Sequence, residues 1–290
     1  MFYGSIVALV TPMFPDGSID FSSFEKLIHW HIKTGSNGIV VLGTTGESPT
    51  IEMSERIALI KLAVKLAHGK IPVIIGTGAN STKHAIELTQ NALDLKADAA
   101  LIVTPYYNKP TQEGLYQHYA LIAKTVSIPQ ILYNVPTRTA CDLLPETVAK
   151  LSCISNIVAL KEASSDQNRL EKLQALNISM NFLSGNDDTA MEFILHGGQG
   201  VISVAANVTP DLVLELCRAS LKNDQKTAEK INKKLEPLCA ALFCESNPIP
   251  TKWILEKMGF IQTGIRLPLT TLSESRRAEV ELAARSLNLF

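Results

Sequence analysis

The stretch "NIVALKEASSD" (156–166) runs four apolar residues, Ile157 to Leu160, directly into Lys161 and Glu162. So short an apolar run, with two β-branched members, reads as a buried strand. A lysine at its end has two readings. It reaches solvent, pairing with a carboxylate such as Glu162 or capping a loop. Or it sits in a partly desolvated mouth, where an amine gives up its proton more readily than in water. A neutral amine attacks a carbonyl carbon and forms a Schiff base. Other polar side chains also stand at the ends of apolar runs. In "PQILYNVP" Tyr133 could move the protons that imine formation needs, or be a core aromatic with a wet hydroxyl. In "GTTGES" Thr44 and Thr45 suit a carboxylate and a proton relay, although a loop of this composition could equally cradle a phosphate. Arg138 follows a proline-containing turn and has no helical i,i+4 partner. Its forked cation suits a substrate carboxylate, or lies solvated on the surface. Tyr106, Tyr107 and Asn134 complete the set of strand-end polar groups.

These groups act together only if the strands bring them to one rim. Eight apolar runs recur along the chain, at 5–10, 38–43, 71–78, 98–105, 129–136, 156–163, 181–185 and 200–206. Amphipathic segments lie between them. In 52–67, for example, Ile57, Ile60, Leu62, Val64 and Leu66 alternate with Arg56, Lys61 and Lys65, and Ser81 and Thr82 can cap a helix over 83–95. Strands alternating with helices predict a parallel sheet, and eight such units close a (β/α)₈ TIM barrel, an α/β fold with its functional groups at the C-terminal ends of the strands. The alternative is a doubly wound open sheet. It would normally carry a Gly-rich loop after the first strand, where this chain reads "TPMFPDG". The barrel with its last helix (about 210–222) occupies residues 1–223. The remaining residues, 224–290, are predicted to form a C-terminal helical extension with helices at 224–243, 250–258 and 273–287.

Composition removes several function classes. The 290 residues are 46% hydrophobic and carry 27 Lys+Arg against 28 Asp+Glu, with no block of like charge. Nucleic acid and anionic membranes are therefore not expected partners. The opening "MFYGSIVALVTPM" lacks a basic n-region and is not expected to be a signal peptide. No uninterrupted apolar run is long enough to predict a transmembrane helix. Five cysteines, at 141, 153, 217, 239 and 244, show no CxxC spacing. They read as reduced core thiols of a cytoplasmic protein. No HxxxH or HExxH occurs, so no metal site is expected.

Taken together, "GTTGES", "TPYYNKP", "YNVPTRT", "IVALKEAS" and "GVISVAANV" closely resemble the dihydrodipicolinate synthase family of pyruvate-dependent class I aldolases. The resemblance runs from Phe2 to about Pro268. It implies a Schiff-base lyase of diaminopimelate and lysine biosynthesis that joins pyruvate to L-aspartate 4-semialdehyde and needs no cofactor beyond the covalent pyruvate–lysine imine. By the same resemblance, Lys161 forms the imine. Tyr133 relays protons, linked through Thr44 to Tyr107. Thr45 holds the pyruvate carboxylate, Arg138 holds the carboxylate of the semialdehyde, and the backbone around Gly185 and Ile202 lines the pocket. Tyr107 would complete the site of a neighbouring subunit. That implies an active dimer and a homotetramer built as a dimer of dimers.

Lysine-inhibited members of the family bind lysine in a cleft at a dimer interface. The matching positions are Ser48, Pro49, Met53, Arg56, Asn80, His84 and Tyr106. Ser48, Asn80 and Tyr106 fit the inhibited pattern, whereas Met53, Arg56 and His84 replace histidine, histidine and glutamate. Weak or absent inhibition by lysine is the expectation. Two other functions are compatible with parts of the pattern. One is a lyase of the N-acetylneuraminate or 2-keto-3-deoxy sugar acid type, whose polyol acceptor would have no carboxylate for Arg138. The other is a catalytically silent binding barrel, which the intact Thr44, Tyr107, Tyr133 and Lys161 set disfavours.

Overall fold

Each apolar run becomes a strand whose alternate side chains enter two separate hydrophobic compartments. In the computed structural model, which describes residues 2–290, the strands are β1 (Gly4–Ala8), β2 (Gly38–Val41), β3 (Val73–Gly76), β4 (Ala99–Val103), β5 (Gln130–Asn134), β6 (Ile157–Glu162), β7 (Asn181–Ser184) and β8 (Gly200–Ser203). They pair in parallel in chain order, and β8 closes on β1. This closed ring is the (β/α)₈ barrel and excludes the open doubly wound sheet. Ile6, Val40, Ile74, Leu101, Ile131 and Leu183 fill the barrel interior. Their neighbours one residue along, among them Val7, Ile39, Val41, Ile75, Leu132 and Phe182, pack outward under the helices.

The helices are α1 (Phe21–Thr34), α2 (Met53–Ala67), α3 (Thr82–Asp94), α4 (Gln112–Thr125), α5 (Pro136–Thr139), α6 (Pro145–Ser152), α7 (Arg169–Gln174), α8 (Ala190–Leu195), α9 (Pro210–Leu221), α10 (Gln225–Ala241), α11 (Ile249–Lys257) and α12 (Glu274–Ser286). Their starts follow local chemistry. Glu52 and Glu55 form a reciprocal capping box at α2, and Ser81 accepts from the His84 N–H at α3. Such caps satisfy N–H groups that have no partner inside the helix. The proline-containing turn before Arg138 is a single helical turn, α5. Cys141, Cys217 and Cys239 are buried, but Cys244 is half-buried and Cys153 is exposed. Cys153 thus departs from the expected core thiol, because it follows the last residue of α6 and falls on its solvent side. Among the described residues no helix is long and apolar enough to cross a membrane.

The last three helices are tied to the loop that follows β2. Lys252 Nζ lies 2.5 Å from Glu47 Oε1, with the side chains only 6% and 1% exposed. Burial pulls the Lys252 ammonium below the ordinary lysine range, and the Glu47 carboxylate opposes that pull. Arg266 grips Glu55 through both terminal nitrogens at 2.6 and 2.7 Å. It also donates to the carbonyls of Gly17 at 2.9 Å and Thr50 at 2.6 Å. Truncating one partner of a buried pair leaves the other charge unpaired, at about 3–5 kcal/mol. Lys252→Met is expected to lose stability on that scale in urea unfolding, and Glu47→Gln/Lys252→Met to recover more than half of it. Strictly additive losses would show that the two groups do not act as a pair.

Candidate active site

β5 and β6 run side by side with Tyr133 opposite Lys161 and Asn134 opposite Glu162. Successive side chains point to opposite faces of a strand. Tyr133 and Lys161 therefore enter the barrel, and Asn134 and Glu162 leave it. Lys161 is 5% exposed, and its Nζ stands 4.2 Å from the centre of the Tyr133 ring. Gly185 makes room for the lysine arm. A Cβ there would come within 2.6 Å of Ala163 Cβ and 3.0 Å of Lys161 Cε.

The pairing of Lys161 with Glu162 does not occur. Both Glu162 oxygens accept from Asn134 Nδ2 at 3.1 Å, and Oε1 also accepts from the Ser164 N–H at 2.7 Å. Burial pushes the Glu162 carboxyl above its usual range, against these hydrogen bonds. Asn134 is accordingly not a group of the rim. It donates to Asp142 and accepts from the Leu143 N–H, while Arg169 holds Asp142 at 2.7 Å. This network braces the outer side of β5 and β6 and the chain leaving α5.

Above the barrel lies a cavity of about 730 Å³ lined by Thr44, Thr45, Tyr133, Arg138, Lys161 and Gly185, together with Asn186, Val204, Phe243, Glu245, Ser246 and Asn247. The loop after β2 turns tightly, with Leu42 and Glu47 both in left-handed backbone conformations. Among the described residues the N–H groups of Thr44 and Thr45 donate to no protein acceptor. Two free N–H groups beside a hydroxyl form an anion-binding concavity. Arg138, on α5, is exposed at the rim, with no carboxylate within ion-pair distance among the described residues. Among the described residues no group of three or more His, Cys, Asp or Glu is placed to hold a metal ion.

Some expected residues lie elsewhere. The Ile202 side chain is fully buried within the barrel core, and Val204, two positions further, lines the cavity. Tyr106 and Tyr107 do not line it. Tyr107 is 90% exposed, on a left-handed backbone with φ of 75°. Of the residues matched to a regulatory cleft, Pro49, Met53, Asn80, His84 and Tyr106 are exposed and Ser48 is half-buried. Arg56 instead turns inward, donating to the Gly76 carbonyl at 2.6 Å and to Ser48 Oγ at 2.9 Å.

Two contributors escaped the sequence reading. Asp187 is a buried carboxylate that accepts from Ser203 Oγ and from the N–H groups of Val204 at 2.8 Å and Ala205 at 3.0 Å. Burial raises its carboxyl, while those hydrogen bonds and the Lys161 charge act the other way. The "GNDD" segment that carries it was a visible signal of strand-end polarity. The segment 243–247 from the C-terminal extension forms part of the cavity wall. In the sequence these residues read only as the gap between the predicted helices 224–243 and 250–258, and no local pattern links them to a loop two hundred residues earlier.

Residues 1–287 match the family described as the Dihydrodipicolinate synthetase family. The chain is 58% identical over 275 residues to the 4-hydroxy-tetrahydrodipicolinate synthase of Nitrosococcus oceani, with 94% of each chain covered. It is 55% identical over 289 residues to the enzyme of that name from Coxiella burnetii, covering 100% of this chain and 99% of the relative. A crystal structure of the chloride-inhibited dihydrodipicolinate synthase from Acinetobacter baumannii, complexed with pyruvate, matches at a TM-score of 0.98 and 52% identity over the whole of both chains. Fold, strand-end lysine and whole-length likeness agree: the chain belongs to the dihydrodipicolinate synthetase family.

Proposed function

We propose that the chain is a 4-hydroxy-tetrahydrodipicolinate synthase, condensing pyruvate with L-aspartate 4-semialdehyde. The observation that carries the reading is the buried Lys161 amine beside Tyr133, in a cavity that also holds the free N–H groups of Thr44 and Thr45. The pyruvate carboxylate sits on those N–H groups and the Thr45 hydroxyl. The deprotonated Lys161 amine attacks the ketone carbon, and the carbinolamine loses water to give an imine. Tyr133 donates and recovers protons in these steps. The imine loses a methyl proton and becomes an enamine, whose carbon attacks the aldehyde. The amino group of the second substrate then adds to the imine carbon and expels the Lys161 amine, closing the ring. The water released in imine formation is the net by-product.

Arg138 selects the acceptor. An exposed guanidinium at the rim, with no carboxylate partner among the described residues, suits a substrate carboxylate, and this favours an amino-acid semialdehyde over the polyol acceptor of a sugar-acid lyase. Tyr107, exposed in the single chain, reaches the site of a neighbouring subunit and connects through Thr44 to Tyr133. On this reading the working assembly is a homotetramer of two dimers in the cytoplasm. The catalytic unit is residues 1–223, with 224–290 as an extension that completes the cavity wall.

Borohydride added with pyruvate is expected to leave one reduced adduct per chain, on Lys161, visible by peptide mass analysis. Lys161→Arg should abolish both adduct and turnover, because a guanidinium does not deprotonate in this range. An adduct on another lysine would sink the mechanism. Arg138→Ala removes a charge-assisted contact worth about 1.5–3 kcal/mol. The KM for the semialdehyde should therefore rise roughly ten- to a hundredfold, with the KM for pyruvate little changed. Equal damage to both would show that Arg138 is no acceptor clamp.

The regulatory cleft carries a separate expectation. His84 supplies no negative charge for a lysine ammonium, and Arg56 is already bonded to Gly76 and Ser48. Lysine is expected to inhibit weakly or not at all. His84→Glu combined with Arg56→His should increase sensitivity, measured as the lysine concentration that halves the rate. Strong inhibition of the unaltered chain at sub-millimolar lysine would overturn this.

A further inference from the structure

The mechanism leaves one buried amide of the cavity wall without a role. Asn247 lies between α10 and α11, is 5% exposed, and donates from Nδ2 to Thr45 Oγ1 at 2.9 Å. Its own Oδ1 is buried without a partner among the described residues. Leaving an amide oxygen unpaired is unfavourable. A leucine of similar size would leave no polar atom stranded, so packing alone does not account for asparagine here.

The direction of the hydrogen bond does. A threonine hydroxyl has one hydrogen to give and two lone pairs to offer. Because Asn247 donates to Thr45, the threonine hydrogen remains available. Among the described residues Thr45 Oγ1 donates to no protein acceptor. The same segment grips this loop a second time, through Lys252 and Glu47. Resting on the proposed keto-acid chemistry, we infer that Asn247 is a positioning residue for carboxylate recognition. By donating to Thr45 it reserves the threonine hydroxyl as a donor to the carboxylate of the keto acid. It acts through Thr45.

The test reads pyruvate occupancy directly, as borohydride-trapped adduct on Lys161 against pyruvate concentration, with no second substrate. In Asn247→Asp an ionised carboxylate cannot donate and draws the Thr45 hydrogen to itself. The half-saturating pyruvate concentration should rise about ten- to a hundredfold near neutral pH, the scale of a lost charge-assisted contact. Acidification that protonates this carboxylate restores a donor, so the ratio to the unaltered chain should shrink. Tyr133, Arg138, Lys161 and Glu245 face the cavity in both proteins, and Glu47 and Lys252 lie behind the loop in both, so the ratio at each pH compares two proteins that differ only at position 247. Asn247→Ala should raise the concentration several-fold, about the scale of a neutral hydrogen bond, and should add nothing in a Thr45→Val background. The KM for the semialdehyde at saturating pyruvate should hardly move.

Trapping at unaltered pyruvate concentrations, a loss independent of pH, or additive effects in the Thr45→Val background would each overturn the inference. So would equal damage to both substrates. If Asn247→Asp does not fold, the alanine and valine pair still decides. Failure of the unaltered chain to trap any pyruvate would instead overturn the proposed function, whatever Asn247 does.

Discussion

In a closed ring of parallel strands a side chain has two destinations, the barrel interior or the layer beneath the helices. The site depends on that alternation in β5 and β6. With Tyr133 opposite Lys161, both enter the interior at the same height; a slip of one residue would send them under the helices and bring Asn134 and Glu162 inside. The interior around them is kept small by Ala8, Ala159, Ala163 and Gly185. An amine can therefore stand in a low-dielectric mouth and still leave space for a carbonyl compound in front of it.

The polar residues sent outward are used to hold that register. Asn134, Glu162, Asp142 and Arg169 are joined by hydrogen bonds across the outer side of β5 and β6. A buried carboxylate such as Glu162 is tolerated only because each oxygen has donors. On the opposite flank Asp187 collects a hydroxyl and two N–H groups at the end of β8. The strands that carry or border Lys161 are thus fixed by buried polar networks, which penalise displacement more sharply than apolar packing does.

Strand number, helix limits and the mouth lysine were legible because they rest on periodicity. The eight apolar runs became eight strands, and the predicted helices 224–243, 250–258 and 273–287 begin and end within two residues of α10, α11 and α12. What escaped rests on direction or distance. Asn134 reads as a rim group because position at a strand end is visible in sequence, but the face it occupies follows from phase, and phase is set by Lys161 one strand later. Tyr106 and Tyr107 read as cavity groups on the same basis, although the loop carries them outward. Asn247 and Lys252 were invisible because their partners, Thr45 and Glu47, lie some two hundred residues away.

Tyr107 stands apart from the cavity of its own barrel. A large aromatic side chain, 90% exposed on a left-handed backbone, gains little from water and departs from the usual preference of bulky residues for negative φ. On the proposed reading, the residues that attack the ketone and hold the carboxylate, Lys161, Tyr133, Thr44 and Thr45, all come from one barrel. On the proposed reading only the relay that connects this site to bulk protons is shared between subunits. Imine formation would then belong to the fold and proton traffic to the assembly. The loop after β2 is where the two would meet, with Thr44 assigned to the relay and Thr45 to the carboxylate, while the far end of the same chain holds that loop in place.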